Sequence, residues 1–138
     1  MSDSLRVIEG LTSIQSSFAP KATMDRLDAE IRAKGLNVFA RIDHAAGAAE
    51  VGLTLAPTEL IIFGNARGGT PLMQSVQTIG IDLPLKALVW QDASGKTWLS
   101  YNEPRWIAQR HGVANAEQVV SRMNALLTAM ARKAADGL

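Results

Sequence analysis

A chain of 138 residues, 47% of them hydrophobic, has the size of one domain and enough apolar side chains to bury a core. Fourteen basic against thirteen acidic residues give a formal charge of +1 with the charges scattered, which argues against nucleic acid as a partner, since that needs a concentrated basic footprint. Zero cysteines exclude disulfides, thiolate catalysis and cysteine-ligated metal centres, and the apolar runs are too short to span a bilayer.

Met1 to Ser17 mixes polar residues throughout and lacks the apolar stretch of a secretion signal, so a cytoplasmic location away from membranes is expected. Leu11 to Phe18 alternates as a first strand and stops at Ala19-Pro20. From Thr23 a helix sets Met24, Leu27 and Ile31 on one face, pairs Asp28 with Arg32 and Glu30 with Lys34, and ends at Gly35. Leu36 to Asp43 alternates as a second strand, and His44 to Gly52, rich in small residues, reads as a short helix. Thr58 to Phe63 is continuously apolar, which predicts a third strand covered on both faces.

Thr70 followed by Pro71 predicts the cap and first residue of a helix that runs to Ile79 and closes at Gly80. Leu83 to Gln91 and Lys96 to Tyr101 make a hairpin across Asp92-Ala93-Ser94-Gly95, with Gly95 left-handed and Trp98 opposite Trp90 or a near neighbour. Asn102 caps a short helix that ends near Gly112. Asn115 and Gln118 have the spacing of a reciprocal helix cap, and Ala116, Val120, Met123, Leu127, Met130 and Ala134 then trace one stripe. That stripe covers the sheet or, in part, pairs with a second subunit. The element order predicts an α+β, two-layer sandwich: a mixed or antiparallel sheet of about five strands covered by helices. It forms a single domain over residues 1–138, with a core at about 11–112 and a C-terminal helix at about 115–135.

The run from Glu59 to Met73, where an apolar strand breaks into glycines and restarts as a helix, is the expected ligand site. Backbone amides around Gly68, Gly69 and Thr70 would hold an anion or carboxylate, with Arg67 as charge partner and Asn65 as a hydrogen-bonding group. A P-loop is excluded because Thr70-Pro71 follows Gly69 where a lysine is required, and the spacing Gly64, Gly68, Gly69 is not that of a dinucleotide fold. Asp43-His44, at a strand end, places a carboxylate beside an imidazole, with His44 the candidate general base and both at the pocket rim. His44 and His111 are far apart with no carboxylate cluster, so no metal site is expected, and no G-x-S-x-G marks a serine hydrolase. Nothing in the residues calls for a cofactor.

Gly35 to His44, Phe63-Gly64-Asn65, Gly69-Thr70-Pro71-Leu72-Met73, Ile81 to Lys86 and Tyr101-Asn102-Glu103-Pro104 together resemble the domain-of-unknown-function family numbered 302, over roughly Leu11 to Gly112. The resemblance implies a small α+β fold, typically dimeric, with no established activity. Some relatives carry cysteines at the positions matching Gly64 and Leu85; their absence here rules out carrying over a thiol-based function. The leading expectation is a homodimeric small-molecule or anion binding module with its pocket at Gly64 to Thr70. The alternatives are a weak hydrolase or proton-transfer enzyme using His44, and a structural interaction module using the terminal stripe.

Overall fold

The computed structural model describes residues 6–137, so the predicted domain ends at 1–5 and 138 lie outside the described residues. Its elements run β1 (Leu11–Ser16), α1 (Pro20–Ala33), β2 (Asn37–Asp43), α2 (His44–Glu50), β3 (Thr58–Gly64) and α3 (Ala66–Ser75). A 3₁₀ turn (Gln77–Ile81), β4 (Leu85–Gln91), β5 (Thr97–Asn102), α4 (Pro104–Arg110) and α5 (Glu117–Asp136) complete the chain. The strands form one sheet in the order β1-β5-β4-β3-β2 with every neighbouring pair antiparallel. Of the two sheet types anticipated, the antiparallel one is formed.

Period-two alternation sorts the side chains. Ile61 and Phe63 of β3, Leu85, Ala87 and Val89 of β4, and Leu99 and Tyr101 of β5 point to the helices and are buried with Met24, Leu27 and Ile31 of α1 and Leu127 and Met130 of α5. Each large side chain buried in this way contributes about 1.5–3 kcal/mol. A second, smaller cluster joins Leu72, Ile79, Ile107 and Val120, tying α3, the 3₁₀ turn and α4 to the first turns of α5. Leu83 and Met123 pack against both clusters and mark their junction.

The alternate residues face away from the helices. Leu60 and Ile62, Leu88 and Trp90, and Ile42 belong to neither cluster, and Ile42 is 41% exposed. β3 is therefore covered on one face, not two: its continuous apolar run feeds a core on one side and an open sheet face on the other. On that face Trp90 and Trp98 stand opposite in register and stack with centroids 6.3 Å apart, as the hairpin reading anticipated. Their indole nitrogens donate to Ser100 Oγ and Asp92 Oδ2, both at 2.9 Å. Asp92 Oδ1 in turn accepts from Ser94 and Lys96 amides and fixes the turn, with Gly95 at φ +87.

Four helix starts differ from expectation: α1 begins at Pro20, three residues ahead of Thr23, and the cap position of α4 is Glu103 and not Asn102, while the differences at α5 and α3 go deeper. α5 has Ala116 at its cap with no side-chain bond, because Asn115 adopts a left-handed φ of +57 to turn the chain out of α4 and so does not cap. The stripe beyond it, apart from Met123, is buried within this chain: Val120, Leu127, Met130 and Ala134 are at most 4% exposed. Those four positions therefore face this chain's own core. The other difference, at α3, shapes the site.

Candidate functional site

β3 ends at Gly64 with φ +153, a conformation suited to glycine, and Asn65 caps α3. Its Oδ1 accepts from the Gly68 amide at 2.7 Å and its carbonyl from the Gly69 amide at 3.3 Å. The helix thus begins four residues before the Thr70 start read from the sequence, and Pro71 lies inside it. Asparagine is as good a cap as threonine and comes first at the strand end, while burial of Leu72 outweighs the weak helix propensity of Gly68 and Gly69. Gly68, Gly69 and Thr70 are helical rather than poised ahead of a helix, and the first two have their amides engaged. The expected cradle of free amides for an anion is absent there.

A cavity of about 380 Å³ nevertheless opens beside this turn, between the start of β2, the start of α3, the lead into β4 and the middle of α5. Leu36, Phe39, Met73, Leu83, Met123 and Leu126 supply most of its wall, and Gly64, Gly68 and Gly69 line it with backbone. Asn65 and Thr70 are the lining residues with polar side chains, and none of the lining residues is charged. The cavity sits at the junction of the two core clusters, which explains its apolar character.

The other sequence-singled residues lie elsewhere. Arg67 is exposed in the first turn of α3 and does not line the cavity. Asp43 and His44 are not at its rim: Asn37 pairs with Gly64 near the cavity, whereas Asp43 pairs with Glu59 at the far end of β2. Asp43 Oδ1 caps α2 by accepting from the Ala46 amide at 2.9 Å, and His44 is exposed at the first position of that helix. With its neighbouring carboxylate acting as a cap, His44 has among the described residues no orienting partner of the kind a general base needs.

Two clusters escaped sequence reading. Arg41 donates to both Glu59 oxygens at 2.9 Å and to Asp25 and Asp28 of α1 at 3.0 and 3.2 Å, beside a second, polar cleft that Asp43 also lines. The hydrogen bonds to Glu59, and then those to Asp25 and Asp28, raise the Arg41 pKa despite its partial burial. At the other end, His111 bonds Asp82 Oδ2 through Nε2 at 2.6 Å and Thr78 Oγ1 through Nδ1 at 3.0 Å, and Arg110 reaches both Asp82 oxygens at 2.9 Å. Burial pushes the Asp82 carboxyl up, but the His111 bond and the Arg110 charge outweigh it and hold the pKa below the ordinary value. This hydroxyl–imidazole–carboxylate chain lines neither cleft and clamps the 3₁₀ turn to the end of α4. Among the described residues, no group of three His, Cys, Asp or Glu is placed to hold a metal ion.

Comparison with known proteins agrees with the fold and leaves the chemistry open. The model of the family described as Domain of unknown function DUF302 matches residues 12–130. The chain belongs to the DUF302 family. A crystal structure of an uncharacterized conserved DUF302 protein from Bacillus stearothermophilus superposes with a TM-score of 0.82 at 17% identity, covering 92% of this chain and 99% of that one, and so shares the fold. Among curated relatives, Fluoride-specific ion channel FluC 1 of Brucella suis is 48% identical over 128 residues, covering 93% of this chain and 50% of the relative. A protein of the same name from Brucella abortus is also 48% identical, with 47% of its length covered. This DUF302 chain spans about half the length of the curated relatives it matches.

Proposed function

We propose that this DUF302 chain is a small-molecule binding domain that works as a homodimer. The observation that carries the reading is the cavity of about 380 Å³ where β3 passes into α3, within the size range of about 300–1,000 Å³ usual for ligand sites. Gly69 gives the test. A Cβ added there meets Leu83 Cδ1 and Met73 Cε at an ordinary 3.6 Å, so a longer side chain occupies the cavity with little backbone strain. Native mass spectrometry of protein purified without exchange is expected to show a bound small molecule on the wild type and none on Gly69→Leu. A ligand retained by the folded Gly69→Leu variant contradicts the site.

The open sheet face supports the dimer. Of the strand residues on it, Lys86 alone is charged, so a second copy meets it with little like-charge repulsion. Five strands about 4.8 Å apart and about 20 Å long give a footprint of roughly 500 Å² in projection. With side-chain relief, that approaches the roughly 800 Å² each partner gives to a standard interface.

The Brucella relatives favour a second, compatible reading, in which the domain is an appended module of a membrane transporter. No helix among the described residues is long and apolar enough to cross a membrane, and the five-stranded sheet is open, so we assign fluoride conduction in those relatives to the half this chain does not match. Deleting the matching half of a relative is expected to leave fluoride efflux from liposomes in place; loss of conduction with the remaining half folded contradicts this reading.

A further inference from the structure

Resting on the small-molecule reading, we propose that the cavity beside α3 takes an uncharged, largely apolar molecule bearing no more than a hydroxyl or carbonyl group. Among the described residues no charged side chain lines the cavity, so a carboxylate or phosphate entering it would shed its hydration with no counter-charge to replace it. The two glycine amides at this turn are engaged: Gly68 donates to Asn65 Oδ1 and Gly69 to the Asn65 carbonyl. Arg67, the nearest basic residue in sequence, is exposed and outside the lining.

What the cavity offers is a yielding hydrocarbon and thioether surface. Met73 and Met123 face it from α3 and α5, and their unbranched side chains re-pack around bodies of different shape. Its side-chain polar capacity is small: the Asn65 amide nitrogen, whose two donors the cap does not use, and the Thr70 hydroxyl. Those match one hydroxyl or carbonyl oxygen and cannot satisfy an ionised group. Gly69 sets the depth of the site: a methyl there meets Leu83 and Met73 at ordinary contact distance, but a side chain extending beyond Cβ takes the ligand's space.

The test uses two fluorescent probes with one aromatic body. N-phenyl-1-naphthylamine is uncharged; 8-anilino-1-naphthalenesulfonate carries a sulfonate on the same framework. The uncharged probe is expected to bind the wild-type chain with one saturable site per chain, and the sulfonate at least tenfold more weakly. Gly69→Ala is expected to bind the uncharged probe like the wild type, while Gly69→Leu and, from the opposite wall, Met123→Trp lose it with unchanged circular dichroism. Equal binding of both probes, lost together in the filling variants, overturns the uncharged-ligand proposal and leaves the pocket reading standing. Binding that persists in both folded filling variants, or no binding of either probe to wild type, overturns the pocket reading and the proposal with it.

Discussion

Asn65 and Gly69 carry different parts of the site, one holding the turn and the other leaving the space. Replacing Asn65 by Ala removes the cap on the Gly68 amide and is expected to cost about 1 kcal/mol in urea unfolding, with Asn65→Asp close to wild type. Asp82 makes a pH-dependent contribution. Because its folded pKa lies below the unfolded value of 3.8, the stability it confers is fully present above that value and is lost as the pH falls through the folded one. Asp82→Asn is therefore expected to lower the melting temperature at pH 7 and to flatten its fall toward pH 3, a slope unchanged from wild type being the contrary result. At this scale the sequence was half legible. Asn65 and the glycines announce a strand-to-helix turn, but two good caps, Asn65 and Thr70, compete within five residues, and packing of Leu72 decides between them. The partners of His111 lie 29 and 33 residues away, so no local spacing could reveal that cluster.

At the scale of elements, α5 has two duties along one stripe. Met130 is fully buried in the main core, whereas Met123 is half-buried and lines the cavity. Met130→Ala is expected to cost about 2–5 kcal/mol in chemical denaturation, and Met123→Ala distinctly less, since there is already space at that position. Equal costs would show that Met123 is an ordinary core residue. The periodicity of the stripe was plain in the sequence, because burial against a sheet imposes it. Which neighbour each position meets was not, since Val120 joins one cluster, Leu127 the other and Met123 the junction. Asn115 shows the limit of cap reading, as the same residue type also serves left-handed turns and the exit from α4 claims it.

For the whole molecule, an α+β sheet of five strands was readable from the order of elements, and the central hairpin from Gly95. The pairing of β1 with β5 was not, because Leu11 meets Asn102 across about two thirds of the chain. Nor was the open face, since alternation hidden in a continuous apolar run such as Leu60-Ile61-Ile62-Phe63 does not say which side is covered. If that face joins two copies, Leu60→Glu should sediment as a monomer with native circular dichroism while the wild type sediments as a dimer; two species of equal mass contradict the dimer. The central claim, that a small apolar molecule occupies the space between the two cores, is tested most directly on methionine methyl groups. In a ¹³C-methyl-methionine spectrum, titration with N-phenyl-1-naphthylamine should shift the Met73 and Met123 signals, which line the cavity, and leave those of Met24 and Met130, sealed in the core, in place. Resonances of Met73 and Met123 that stay fixed through saturating probe would contradict it.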